Sequence, residues 1–154
     1  MPSITLKRLI DKMKLVNLTD DLDISKIRIT QPDLNRPALQ LAGYFDYFDC
    51  ARVQVIGFVE YTFLETLDDD RKQVIYDQLL SYVPPAVVFC RDLAPDELFM
   101  ETAMRYHVPV LSTKKSTSAF MAETIRWLNV KLAPCISVHG VLVDVIGEGV
   151  LLTG

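Results

Sequence analysis

The sequence has few of the residues on which metal sites, disulfide frameworks and nucleophilic catalysis depend. Its 154 residues include three cysteines and two histidines. Cys50, Cys90 and Cys135 are odd in number and lie far apart without C-x-x-C spacing, which argues against a disulfide framework and a zinc knuckle. Each cysteine is therefore predicted to be a small buried apolar side chain.

Long apolar runs and clustered basic residues are also absent. No run reaches the roughly 18 apolar residues of a membrane span, and Lys7 and Arg8 follow closely on the first residues, where a signal peptide needs an apolar stretch. The formal net charge is −4, and the scattered basic residues do not resemble a nucleic-acid-binding surface. We therefore expect a cytoplasmic protein that binds neither a membrane nor nucleic acid.

What is present is an alternation of strand-like and helix-like segments in a chain that is 50% hydrophobic. The pattern predicts strands at residues 26–30, 53–57, 86–90 and 109–111, a loop at 31–37, and helices at 4–13, 58–67, 71–82, from Pro95 to Tyr106, and from Thr117 to Leu132. This order predicts an α/β protein of three α/β/α layers around a small mixed or mainly parallel sheet.

Two local patterns allow a structural and a functional interpretation. The carboxylates of Asp68, Asp69 and Asp70 could hold a hard cation, but adjacent side chains at a helix start point in different directions, so we favour capping of the helix N-terminus. His107 follows a helix and is interpreted as structural.

Six polar residues are candidates for a binding site, because some of them could line the strand ends where α/β sheets bind ligands. These residues are Asn35, Arg36, Arg52, Glu60, Thr113 and Lys114. The alternative, which we prefer, is that Arg36 and Arg52 form structural ion pairs and that Thr113 simply precedes a loop, since the sequence does not show these groups converging.

The C-terminal segment, residues 139–154, reads HGVLVDVIGEGVLLTG. Two strand-like runs flank a turn at Gly147-Glu148-Gly149, and the second run ends at a glycine, as does the strand that enters a P-loop. Because Pro134 stops the preceding helix, we predict a domain boundary there. Residues 1–133 are then an N-terminal α/β domain, and residues 134–154 begin a second domain.

Three strings in this order resemble the HPr kinase/phosphorylase family. They are residues 35–45 (NRPALQLAGYF), residues 52–60 (RVQVIGFVE) and the segment from Pro134 to Gly154. The resemblance runs from about residue 25 to residue 154. One departure is Ala38, where the family usually has glycine, so an alanine would be strained if this position needed a positive φ.

The resemblance implies a bifunctional enzyme. The family phosphorylates a serine of the phosphocarrier protein HPr with ATP or pyrophosphate and Mg²⁺, removes that phosphate by phosphorolysis, and thereby regulates carbohydrate metabolism through carbon catabolite repression. It is hexameric, and its N-terminal domain resembles that of the Mur ligases. The resemblance does not establish a separate function for residues 1–133, and we expect a role in assembly or regulation for them.

The resemblance also assigns the site residues. His139 is expected to be catalytic, and Gly154 is expected to be the first P-loop residue, whose amide contacts ATP. Asp144 could approach the same site, but a solvated strand face is the interpretation we prefer. No metal ligand is assigned, and the remaining phosphate-binding groups are expected beyond residue 154, so the chain alone is predicted to be inactive. The alternative is a free-standing α/β module that binds a ligand or a protein without catalysis.

Overall fold

The computed structural model describes residues 2–134. Within them the chain forms seven strands: β1 (Ile4–Thr5), β2 (Val16–Asn17), β3 (Arg28–Ile29), β4 (Leu34–Asn35), β5 (Val53–Ile56), β6 (Val87–Phe89) and β7 (Val110–Ser112). The helices there are α1 (Leu6–Met13), α2 (Ala38–Leu41), α3 (Phe58–Glu65), α4 (Asp69–Ser81), α5 (Glu97–Tyr106) and α6 (Thr117–Lys131).

Five of these strands form one mixed sheet in the order β2-β7-β6-β5-β4. Strands β4, β5, β6 and β7 are parallel neighbours, whereas β2 pairs antiparallel with β7 at one edge. The other two strands, β1 and β3, form a separate antiparallel pair. The predicted mixed, mainly parallel sheet is confirmed.

The central strands are covered by helices on both faces. One core contains side chains of α1 and α6 together with Val53, Val55, Val88 and Leu111. The other contains side chains of α2, α3, α4 and α5 together with Ile56, Val87, Phe89 and Val110. Because alternate residues of each strand enter opposite cores, both faces must be apolar, which explains the continuous apolar runs in the sequence. The three-layer prediction is confirmed.

Helix α4 begins as the aspartate pattern predicts. Asp68 is its N-cap, and its carboxylate accepts a hydrogen bond of 2.8 Å from the Arg71 amide. Asp69 and Asp70 lie in the first turn, where the helix dipole favours negative charge. The capping interpretation is confirmed.

Thr117, whose hydroxyl could cap the helix predicted to start there, is not the N-cap of α6. Ser116 has the extended backbone of an N-cap, and its hydroxyl accepts the Ala119 amide at 3.2 Å. Thr117 is instead the first helical residue, and its side chain is buried. The sequence alone does not distinguish Ser116 from Thr117 as the N-cap, because both have a hydroxyl group. Packing decides it, since Thr117 is the residue that is buried.

The N-terminal third of the chain differs most from expectation. The helix predicted at residues 4–13 begins only at Leu6, because Ile4 pairs with Ile29 of β3. The strand predicted at residues 26–30 exists as β3, but it lies outside the main sheet. The loop predicted at residues 31–37 contains β4, which pairs with β5 through Leu34 and Val53.

Four residues discussed in the sequence analysis can now be placed in the structure. Ala38 opens α2 and is not among the residues with positive φ, so alanine is accommodated there without that strain. His107 is the C-cap of α5 in the left-handed region, consistent with a structural role. Cys90 is buried as predicted, whereas Cys50 is only half-buried, so that prediction is wrong for Cys50.

The packing of α4 gives a matched test of the core. Leu79 is fully buried and Val74, on the same helix, is 50% exposed. Leu79→Ala is expected to lower the free energy of unfolding by about 2–5 kcal/mol, because it removes buried methyl groups and leaves a cavity. Val74→Ala is expected to change it by less than about 1 kcal/mol. Urea unfolding of both variants measures the difference, and equal losses would contradict the assigned orientation of α4.

Candidate functional site

The carboxyl ends of the parallel strands bring four chain segments to one edge of the sheet. The register pairs Ile56 with Phe89 and Phe89 with Ser112. The residues that follow these strands, Gly57 and Cys90 among them, therefore lie side by side. This is the edge at which open α/β sheets bind ligands.

Arg36 and Glu60 meet at this edge in an ion pair. The Arg36 guanidinium donates to Glu60 Oε1 at 2.9 Å, and the Glu60 side chain is only 3% exposed. The same Oε1 accepts the Gly57 amide at 2.7 Å, which caps the start of α3. The predicted structural ion pair for Arg36 is confirmed, and its partner is another residue of the predicted polar set.

Gly57 allows α6 to approach this ion pair closely. A Cβ at this position would lie 2.5 Å from Thr117 Oγ1 and 2.7 Å from an Arg36 guanidinium nitrogen. Its φ is −106°, which any residue can adopt, so the requirement for glycine is one of space. The start of α6 is thereby packed against the turn between β5 and α3.

Cys90 lies beneath the same cluster and is fully buried. Burial raises the pKa of its thiol to about 11, while a hydrogen bond with Thr117 and the charge of Arg36 act in the opposite direction. The thiol is therefore neutral near pH 7 and is a poor nucleophile there. Its role at this edge is packing.

Thr113 and Lys114 continue from β7 into the loop before α6. The Thr113 amide donates to the Phe89 carbonyl at 3.0 Å, and its Oγ1 accepts the Lys115 amide at 3.2 Å. Thr113 therefore shapes the loop that it was predicted to precede. Lys114 is exposed.

The other two polar residues of the predicted set lie away from this cluster. Arg52 is at the amino end of β5 and pairs with Asp49 at 3.3 Å and with Asp33 at 3.8 Å, so its predicted structural ion pair is confirmed. Asn35 donates to the Gln54 side chain at 2.6 Å and ties β4 to β5. The structure thus brings Arg36 and Glu60 together, and it leaves Arg52 at the opposite edge.

Sequence reasoning missed Gly57, Cys90 and Thr117 as parts of one cluster. Only Gly57 carried a local signal, because a strand that ends in glycine and is followed three residues later by glutamate favours a capped helix start. The other two are ordinary small residues in sequence terms. His139, Asp144 and Gly154 lie outside the described residues, and their roles stay predictions.

The arrangement at this edge is a network of neutralised charges. Residues 2–134 contain no group of three histidine, cysteine, aspartate or glutamate side chains that could hold a metal ion. In the same range, no helix is both long and apolar enough to cross a membrane. The geometry of the cluster fixes three chain segments to one another, with Arg36 38% exposed at its rim.

Comparison with known proteins identifies the family of this chain. The fold defines an α/β domain with helices on both faces of its sheet, and a family described as HPr Serine kinase N terminus matches residues 4–128. The chain belongs to this family.

Named relatives match over almost the whole chain. An HPr kinase/phosphorylase of Lachnoclostridium phytofermentans is 53% identical over 154 residues, which is 100% of this chain and 50% of the relative. Relatives of the same name from Alkaliphilus metalliredigens and Streptococcus thermophilus are 40% and 37% identical and are covered to 50% and 49% of their length. The chain therefore spans about half the length of the curated relatives it matches.

The space at Gly57 can be tested by a double-mutant cycle. Gly57→Ala is expected to lower the free energy of unfolding by about 1–3 kcal/mol, because the added methyl group overlaps Thr117 and Arg36. In a Thr117→Ala background the same change is expected to cost less, since the nearest atom has been removed. Chemical unfolding of the four proteins measures the coupling, and strictly additive losses would contradict the contact.

Because the Cys90 thiol is buried, we expect the stability of the fold to depend on pH. In the folded chain the Cys90 pKa is about 11 rather than the ordinary 9.0, so the unfolded state loses this proton first. Its contribution to stability is complete below pH 9 and is lost between about pH 9 and pH 11, with a loss of about 3 kcal/mol. Urea unfolding across this range should therefore show a smaller decrease for Cys90→Ala than for the unchanged chain or Cys50→Ala. An equal decrease in all three proteins would contradict the assignment.

Proposed function

We propose that this chain is the N-terminal half of a bifunctional HPr kinase/phosphorylase. The observation that carries the proposal is the 53% identity to the Lachnoclostridium phytofermentans protein of that name, which extends over all 154 residues. The chain corresponds to half of that relative. Identity at this level, extended over the whole chain, supports a shared activity for the complete protein.

The proposed activity of the whole protein is phosphoryl transfer to a serine of HPr and its reversal by phosphorolysis. ATP or pyrophosphate would donate the phosphoryl group with Mg²⁺, and the whole protein would act in the cytoplasm as a hexamer. Chemistry of this kind depends on positioning and on stabilising charge, which a P-loop lysine, Mg²⁺ and a catalytic carboxylate supply. We place these groups in the half of the protein that follows this chain.

Two residues of this chain are proposed to take part directly. Gly154 would contribute a backbone amide at the start of the P-loop that binds the nucleotide. His139 would lie near the transferring phosphate, where an imidazole can donate a hydrogen bond or carry positive charge near neutral pH. Both assignments rest on the resemblance of residues 134–154 to the family.

Residues 2–134 are proposed to serve assembly or regulation. Their best-formed polar cluster supports this role, because Arg36 is neutralised by Glu60 and the Cys90 thiol has a pKa raised to about 11. Such groups hold a domain together and leave little for bond-making chemistry at neutral pH.

The proposal predicts a division of activity between the two halves of the protein. The 154-residue chain is expected to phosphorylate HPr at no detectable rate with ATP and Mg²⁺, whereas the full-length protein is active. In the full-length protein, His139→Ala is expected to lower the transfer rate by about a hundredfold or more, with circular dichroism unchanged. The assay is incorporation of labelled phosphate into the HPr serine.

The other histidine provides the matched control. His107→Asn keeps a residue that tolerates the left-handed backbone at position 107, and it is expected to leave the transfer rate within about twofold. Activity of the 154-residue chain equal to that of the full-length protein would refute the division of activity. Full activity of His139→Ala would remove that residue from the site and would favour a non-catalytic role for this chain.

A further inference from the structure

A groove at the end of β7 departs from the acidic character of the chain. It has a volume of about 460 Å³, and its lining includes Lys12, Lys14, Lys114 and Lys115 together with Ser112 and Thr113. We call it the lysine groove. Asp92 is the one carboxylate among its described lining residues.

An adjoining hollow of about 510 Å³ extends the positive surface. It shares Lys12 and Lys115 with the lysine groove and adds Arg126 and Lys131, together with Glu123. Six cations and two carboxylates therefore line the two hollows, a local net charge of +4. This lies on a chain whose formal net charge is −4. A single sign of charge in a concave surface attracts counter-ions more strongly than scattered charges do.

Most of these cations are not neutralised within the described residues. Lys115 forms an ion pair with Glu123. The hydrogen bond from Lys115 holds the pKa of the Glu123 carboxyl below its ordinary value, and the charges of Arg126 and Lys12 lower it further. Across residues 2–134, Lys12, Lys14 and Lys114 take part in no ion pair. Three like charges beside one groove repel each other, and an anion between them would remove that cost.

The walls of the lysine groove are held in place by the backbone. Arg91 and Asp92 have φ values of 59° and 57°, an uncommon conformation for two successive residues other than glycine. Their amides donate to the Lys115 and Thr113 carbonyls, each at 2.9 Å. The β6–α5 loop is thereby fastened to the β7–α6 loop. A pre-shaped site loses less conformational entropy when it binds a ligand.

The opposite wall comes from the other end of the chain. Val16 of β2 pairs with Ser112 of β7, which brings the end of α1 beside the groove. Lys14 is the left-handed C-cap of α1, and its amide donates to the Ile10 carbonyl, so its backbone is fixed. Thr113 Oγ1 accepts the Lys115 amide, which leaves its hydroxyl hydrogen able to donate toward an anion.

We propose that the lysine groove binds a small anion through a phosphoryl group, either as inorganic phosphate or as part of a phosphorylated metabolite. A phosphoryl group carries a charge of about −1.5 to −2 near pH 7 and three acceptor oxygens, which matches several lysines better than one carboxylate does. Lysine binds phosphate as a point charge, and the volume lies within the range of small-molecule sites. The proposal does not depend on the catalytic activity proposed above.

The test is calorimetric titration of the 154-residue chain with inorganic phosphate, glucose 6-phosphate and glucose at low salt. Binding of either phosphate, but not of glucose, is expected. The double substitution Lys14→Asn and Lys114→Gln should weaken it at least about tenfold, because two charged hydrogen-bond donors are lost. Asparagine is chosen because it tolerates the left-handed backbone at position 14.

The matched control removes two charges elsewhere. Lys7 and Lys26 are exposed and lie outside both hollows, so Lys7→Gln with Lys26→Gln should leave the affinity within about twofold. Equal weakening in both double variants would mean attraction to overall charge and would overturn the proposal. So would the absence of phosphate binding by the unchanged chain, or tighter binding of a single-stranded oligonucleotide that both phosphates fail to displace.

A second measurement covers the case in which the double variant does not fold. In the unchanged chain, added phosphate should shift the amide resonances of Lys14, Thr113 and Lys115, and it should leave those of Lys7 and Lys26 in place. Shifts spread evenly over the surface lysines, with none concentrated at the groove, would overturn the proposal without any substitution.

Discussion

The carboxylate of Glu60 is the group on which the carboxyl edge of the sheet depends. It is almost fully buried, accepts the amide of Gly57 and pairs with Arg36. A buried carboxylate needs a charge partner and hydrogen bonds to offset its loss of hydration, and Arg36 and the Gly57 amide supply them. One side chain therefore joins the end of β4 to the start of α3, and the missing side chain at Gly57 lets α6 pack against both.

This arrangement separates two kinds of surface along one edge. At the ends of β4 and β5, Arg36, Glu60 and the Gly57 amide satisfy one another, at the position where an α/β sheet usually binds a ligand. Beyond β7 the sheet continues with the antiparallel strand β2. In the described part of the chain, the groove there is lined by four lysines and a single carboxylate, that of Asp92. The charges of Arg36 and Glu60 therefore stabilise the fold, whereas the lysines beyond β7 remain available to bind a ligand.

The sequence patterns predicted the layers of the fold better than the outermost strands of its sheet. Buried strands such as Val87–Phe89 were recognisable because both of their faces are apolar, a property that survives in any window of sequence. Leu34–Asn35 and Val16–Asn17 were missed because a two-residue strand has no periodicity, and only its partner defines it. In the site, Arg36 was expected to be paired, but its pairing with Glu60 and the close approach of Thr117 to Gly57 depend on tertiary packing. The lysine groove was not predicted either, because Lys14 and Lys114 are far apart in the chain and only the fold brings them together.

The pairing of β2 with β7 also imposes an order of assembly on the growing chain. Val16 can reach Ser112 only after most of the domain has been synthesised, and such distant contacts carry a high cost of loop closure. Before α6 is made, the core that α1 shares with the sheet lacks Phe120 and Leu128, and partly made chains expose more apolar surface. The lysine groove takes its lining from residues 12–16 and 112–115, so it is complete only when these distant segments have met. Any anion that binds there would favour the completed domain over every earlier intermediate.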